Sequence, residues 1–282
     1  MPVILSCTDG SGYASSVYDH SIWAAQRIAA SVHVLHMLEH PEPVPTDASG
    51  AIGLDAQAEL MSELVNLAET QGRLAQAKAR ALLAQAKQHF AAAGISGVVV
   101  EQQHGALVDS IERFERSADL VVIGKRGEHA NFAKGHLGSN LERVIRSCRH
   151  PVLVASRAFR PVGRFLIAFD GGPSALKAVA YAANQPLLRG MQAHLVSVAG
   201  DRPELSSRLE AARRELASAG YSVTAELLEG SRETVLAEAV KRLRIDLLVM
   251  GAYGHSRIRE LIVGSTTTTM IRTVQAPVLL FR

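Results

Sequence analysis

At 282 residues, 48% hydrophobic and 20% charged, the chain has the make-up of a globular protein long enough for one large domain or two of ordinary size. No apolar run approaches the roughly 18 to 20 residues of a membrane span. The formal net charge of +3 is too small to point to nucleic acid, and the two cysteines, Cys7 and Cys148, lack any disulfide framework or C-x-x-C spacing. The first residues carry no basic segment of the kind that opens a signal peptide, so a cytoplasmic location is expected.

Residues 3–7 read as a buried strand, and Thr8-Asp9-Gly10-Ser11-Gly12 as a turn. Ser15 or Ser16 is expected to cap the following helix, in which Val17, Ile22, Ala25, Ile28 and Ala29 share one face. Residues 32–38 form a second strand, which makes a β-α-β unit with a right-handed crossover. Three prolines within 41–45 exclude regular structure there. Residues 55–93 are then dominated by strong helix formers. Gly72 is read as a break between a helix over about 56–70 and another over about 74–93, with Gly94 just past the end. A strand over 98–102, a helix over 107–116 with Ile111 and Phe114 inward, and a strand over 120–123 lead to Gly124-Lys125-Arg126-Gly127. A helix over 137–146 and a strand opened by Pro151 complete the first half.

After a short basic stretch the pattern begins again. Asp9 and Asp170 lie 161 positions apart, as do His33 and His194; further on, Gly94 and Gly220, Gly138 and Gly264, and Pro151 and Pro277 are offset by 126. The fall in offset leaves 35 extra residues in the first half, in the proline-rich stretch and the helix after it. Repetition at this length means a duplicated domain rather than a solenoid. Each copy alternates strands and helices, which predicts an α/β fold: two tandem, Rossmann-like domains, each with a five-stranded parallel sheet and helices on both faces. The first is expected over 1–157 with a helical insertion at about 39–73, a linker over 158–164, and the second over 165–282.

The most informative stretch is Met250-Gly251-Ala252-Tyr253-Gly254-His255, followed by Gly264-Ser265-Thr266-Thr267. A strand, a glycine-rich loop and a helix start in that order can hold phosphate oxygens on backbone N–H groups. Gly251 and Gly254 would permit positive φ and close approach, Gly264 and Ser265 open a helix whose dipole favours an anion, and the Ser265, Thr266 and Thr267 hydroxyls can add donors or meet a metal carried by the phosphates. Asp170 is placed to accept from a ribose hydroxyl or an adenine amine. His104, His129, His136 and His255 fall near the same strand ends, where His255 is a candidate to touch phosphate; no spacing singles out a metal site. The arginine series from Arg143 to Arg164 reads as solvated surface, and Lys125 and Arg126 either attract phosphate or are surface charges.

The spacing Gly251, Gly254, Gly264, Ser265 resembles the nucleotide-binding mark of universal stress proteins: Gly, two residues, Gly, nine residues, Gly, then Ser or Thr. The resemblance covers nearly the whole chain as two tandem domains of the adenine nucleotide alpha hydrolase-like group. It implies a stress-response regulatory protein that binds ATP, or AMP or ADP, with magnesium as a companion. It further implies that Ala168, Phe169, Val198 and Met250 flank the base, partly through backbone atoms. The matching positions of the first copy are Thr8, Asp9, Met37, Gly124, Gly127, Gly138, Ser139 and Asn140. That copy departs from the pattern, with ten residues between Gly127 and Gly138 and Asn140 where a threonine belongs. The resemblance also implies an intrachain pseudo-dimer through the last strands, 152–154 and 278–280, and a homodimer of chains. The alternative reading is a slow ATP-hydrolysing or adenylate-transferring enzyme, although no general base with an orienting partner stands out. Neither a membrane nor a nucleic acid is an expected partner.

Overall fold

The computed structural model describes residues 1–38, 54–104, 111, 113–125, 137, 139–199, 203–252 and 263–282. Ten strands form one sheet: β1 Val3–Thr8, β2 Ser31–Leu38, β3 Val99–His104, β4 Leu120–Gly124, β5 Val152–Ala155, β6 Arg164–Ala168, β7 Gln192–Val198, β8 Val223–Leu228, β9 Leu247–Gly251 and β10 Val278–Phe281. The helices are α1 Ala14–Ile28, α2 Leu54–Ala92, α3 Ser139–Ser147, α4 Pro173–Asn184, α5 Pro203–Ser218, α6 Arg232–Arg242 and α7 Ser265–Thr273. Of the helix expected over 107–116, residues 111 and 113–115 are helical, while 105–110 and 112 lie outside the described residues.

Strand order is β3-β2-β1-β4-β5-β10-β9-β6-β7-β8. Each half thus has its first strand in the middle and reverses direction of build between its first and fourth strands. Pairing is parallel except where the halves meet: β5 and β10 are antiparallel, with Val154 opposite Val278 and Val152 opposite Leu280. The expected contact between the last strands is therefore present within one chain, and it removes what would otherwise be an exposed apolar edge on each half. All four residues of β5 and of β10 are buried.

The central strands are continuous apolar runs because helices cover both faces. One layer gathers Phe90 of α2, Val17 and Ala24 of α1, Phe165, and the inner faces of α4 and α5. The other gathers Leu5, Leu166 and the apolar residues of α3, α6 and α7. Each layer crosses from one half into the other, so the two copies share their core. A repeated aspartate sets the entry to each first strand: Asp119 Oδ2 accepts from Val3 N–H at 2.8 Å, and Asp246 Oδ2 accepts from Arg164 N–H at 2.9 Å.

Two local expectations are corrected. Neither Ser15 nor Ser16 caps α1: the helix begins at Ala14 with no side-chain cap, and the buried Ser16 hydroxyl instead donates to Ser156 O at 2.7 Å, tying α1 to the chain beyond β5. Gly72 does not break the Ala-rich region, which is one helix of 39 residues. A glycine costs about 1 kcal/mol against alanine in a helix interior, too little to stop a helix surrounded by Ala, Leu, Gln and Arg. Its counterpart α5 has 16 residues. Since Ala92 and Ser218 keep the offset of 126, the extra helical residues form an N-terminal extension of a helix that the fold already has.

Candidate functional site

In parallel sheets of this kind ligands settle outside the carboxyl ends of the strands, where strand order reverses. In the second half that point lies between β6 and β9, which pair with Ala168 opposite Met250. After β6 the chain turns sharply: Gly171 has φ +73°, and Asp170 Oδ1 accepts from Gly172 N–H at 2.8 Å. Pro173, without an N–H to satisfy, then opens α4. Asp170 is exposed at the strand end. Ala168, Val198 and Met250 join Ala252 and Val263 in one apolar layer. Phe169 does not join them; its ring is buried in the opposite layer, its N–H donates to Val196 O at 2.8 Å, and its carbonyl accepts from Ser197 Oγ at 2.6 Å.

Gly251 is the last residue of β9 and has no positive φ, so the conformational freedom expected of it is not used. Gly254 and His255 lie outside the described residues. Gly264 N–H donates to Ala252 O at 3.1 Å, which holds the start of α7 beside the end of β9. Gly264 stands at the N-cap of α7 with φ −58° and ψ 142°. The first N–H groups of a helix have no intrahelical acceptor, and the helix dipole adds positive potential there. Ser265 is exposed on that first turn.

Two of the three hydroxyls have partners within the protein. Thr267, which is buried, donates to Gly251 O at 2.9 Å and so docks α7 on the end of β9. Thr266 donates to Glu233 Oε1 at 2.7 Å, and that hydrogen bond is the main cause holding the Glu233 carboxyl below its ordinary range. A carboxylate from α6 thus stands beside the N-terminus of α7. The sequence pattern gave no sign of it, since Glu233 lies in the first turn of an ordinary amphipathic helix.

The first half repeats the turn. Gly10 has φ +74°, Asp9 Oδ1 accepts from Ser11 N–H at 2.9 Å, and Thr8 Oγ1 accepts from Gly10 N–H at 3.3 Å. Met37 lies in β2 opposite Gln103, Gly124 ends β4, and Ser139 and Asn140 open α3. Gly127 and Gly138 lie outside the described residues. Lys125 is not a phosphate ligand in waiting: its ammonium donates to Val274 O at 2.7 Å and Ala276 O at 2.9 Å, joining the first half's glycine loop to the stretch between α7 and β10. Burial lowers its pKa to about 8.

The helix packed over each turn differs. Arg208 of α5 donates from Nη1 to Gly171 O at 3.1 Å. At the same offset of 126, Leu82 of α2 takes its place, and a Cβ built on Gly10 would lie 2.5 Å from Leu82 Cδ1. The two thiols take no part in this chemistry: both are buried, and burial pushes Cys7 up to about 12 and raises Cys148 as well.

Among known proteins, the profile of the universal stress protein family matches residues 1–156 and 200–282. Universal stress protein Slr1230 from Synechocystis is 39% identical over 287 residues, spanning the whole of both chains. A mycobacterial relative, universal stress protein Rv1996, is 25% identical over 214 residues, covering 68% of this chain and 66% of its own. Among solved structures, a universal stress protein from Archaeoglobus fulgidus superimposes with a TM-score of 0.73 at 22% identity, covering 99% of this chain and 98% of its own.

Proposed function

Because the chain belongs to the universal stress protein family, and because its second half has a turn-bound aspartate after β6 and a helix N-terminus after β9, the two strands flanking its strand-order reversal, we propose that it binds one adenine nucleotide there. ATP is the first candidate, with AMP or ADP as the alternative ligands. The observation that carries the reading is the hydrogen bond from Gly264 N–H to Ala252 O, which holds the start of α7 at the end of β9. In this reading the α7 N–H groups and Ser265 meet the phosphates, Asp170 meets the ribose or the adenine amine, and Ala168, Val198, Met250 and the Phe169 backbone flank the base. Gly251, Gly254 and His255 belong to the same proposed site, and Thr266 and Thr267 hold its helix in place.

Glu233 qualifies the electrostatics. An ionised carboxylate beside the helix N-terminus repels a bare triphosphate and favours one that arrives with a divalent cation. Magnesium would supply charge neutralisation, and Glu233 and Ser265 would be candidate oxygen ligands for it. The protein's role in this reading is regulatory, in the cytoplasm, with nucleotide occupancy as the signal. Calorimetry with ATP, with and without magnesium, tests it: saturable binding at one site is expected, and no heat with any adenine nucleotide would remove the reading. Turnover above about 1 per second would place the protein among ordinary enzymes instead.

A further inference from the structure

Beyond the last strand of each half, one hydrogen bond ties the chain to the first helix of that half, and the two ties differ in charge. In the first half Ser16 of α1 donates from Oγ to Ser156 O at 2.7 Å. In the second half Lys177 of α4 donates from Nζ to Arg282 O at 2.8 Å. Lys177 stands at the offset of 161 from Ser16, and Arg282 at the offset of 126 from Ser156. The same contact is thus made twice, by two buried serines in one copy and by two exposed cations in the other. Since a neutral hydroxyl makes the tie in the first half, the fold does not require the charges.

The register of β9 and β10 places these cations beside the start of α7. Phe281 pairs with Gly251, Ala252 N–H donates to Phe281 O at 2.8 Å, and Gly264 N–H donates in turn to Ala252 O. Arg282 follows Phe281 directly. Along β10 the side chains alternate, Val278 and Leu280 entering the layer that holds α7, and Leu279 and Phe281 the other. That alternation sends the Arg282 side chain to the α7 side, where its Nη1 donates to Arg146 O in the last turn of α3. A cation there complements the α3 dipole. In the first half, however, Ser156 turns its hydroxyl back to Ala158 O at 2.8 Å, so the matching end of α7 is held without it. Nor does the α3 dipole account for Lys177, whose helix packs in the opposite layer.

Strand order gives the cations a direction. Across β7-β6-β9-β10 the strand ends present Val198, Ala168 with Asp170 beyond it, Gly251 and then Arg282. A nucleotide with its base at the first two strands and its phosphates at α7 lengthens toward Arg282 with each phosphate added. We propose that Lys177 and Arg282 select the ligand of the second half by its phosphate charge, favouring a nucleoside triphosphate over the monophosphate, and that the first half positions Arg282 through Arg146 O. The inference rests on the adenine-nucleotide reading of this site and names the phosphate class it takes. Glu233 stands against the same helix start from α6, so the N-terminus of α7 has a carboxylate on the α6 side and two cations on the β10 side.

Calorimetry on the full-length protein with ATP and with AMP, at one fixed magnesium concentration, tests it, with circular dichroism to verify folding. Wild type is expected to bind ATP at least about tenfold more tightly than AMP, and added salt should weaken ATP more than AMP. Lys177→Gln/Arg282→Gln should lower ATP affinity about tenfold and leave AMP within about twofold, so that the preference collapses. Arg282→Lys, which keeps the charge, should keep most of the preference. Lys177→Gln alone, at an exposed ammonium, should lower ATP affinity about threefold. A double variant that keeps the wild-type preference, or that loses ATP and AMP alike as a broken structural tie would, overturns the proposal. A wild type that binds ATP and AMP equally overturns it too and leaves the site standing, whereas a wild type that binds no adenine nucleotide removes the site and the proposal together.

Discussion

The two halves have nearly the same backbone where their strands end and different chemistry upon it. Gly10 and Gly171 differ by a degree in φ, and Asp9 and Asp170 each accept the amide two residues on. Over the first turn lies Leu82; over the second lies Arg208. After the fourth strand of the first half, Lys125 crosses to the other half's carbonyls, whereas the second half has Ala252, whose carbonyl accepts from Gly264 N–H before α7. The shared part is what the fold requires, since a strand entering a helix needs a positive φ and a local acceptor. The divergent part is what a ligand would meet. The comparison teaches that duplication kept the turn in both copies, and that in the first copy Lys125 holds the halves together.

The largest effect that would break this contrast concerns binding. Gly264→Val places a branched side chain at the N-cap of α7, where φ −58° tolerates it, and should reduce ATP affinity at least 30-fold by calorimetry. Gly138→Val, the same change in the first copy, should leave affinity within about twofold. Equal losses from both would mean that both loops bind.

Next in size is a test of the shared scaffold. Gly10→Ala and Gly171→Ala each put a Cβ at positive φ and should cost about 1–2 kcal/mol in denaturant unfolding. Gly10→Ala should cost more, because its Cβ meets Leu82 at 2.5 Å while the nearest atom to one on Gly171 is Leu205 Cδ1 at 3.1 Å. The reverse order would show that α2 yields more readily than α5.

Glu233→Gln sharpens the electrostatic side of the comparison. Removing the carboxylate beside α7 should raise ATP affinity about three- to tenfold without magnesium, and much less with it, the size of one screened charge contact. An unchanged magnesium dependence would remove Glu233 from the site.

The smallest effect tests the Lys125 staple. In the folded protein Lys125 loses its proton near pH 8, and in the unfolded chain only near 10.4. Between these values the unfolded state binds more protons, so stability rises with pH, and the cost of the buried charge is in full force below pH 8. From pH 7.5 to 9.5 the wild-type melting temperature should therefore rise by a few degrees relative to Lys125→Met. Parallel curves would show that the amine is solvated.

How far the sequence could be read depends on which contacts decide each feature. The strands and their parallel arrangement were legible because buried β runs and a constant offset are periodic signals, whereas the pairing of the last strands came only with the family resemblance. The unbroken α2 was misjudged at Gly72, where local propensity is outweighed by helix formers on both sides. Ser16 looked like a cap because of its position before an apolar pattern, but its partner is Ser156, 140 residues away. Lys125 read either as a residue that attracts phosphate or as a surface charge; only the meeting of the halves reveals its carbonyl acceptors. Glu233 and Arg208 were invisible for the same reason, since the register of one helix over another element is not a local property of either.

The account rests on the second copy alone holding nucleotide. Native mass spectrometry of the full-length protein with saturating ATP and magnesium measures this directly. One nucleotide per chain is expected, disappearing in Gly264→Val and persisting in Gly138→Val. Two per chain, or one that survives Gly264→Val, would contradict it.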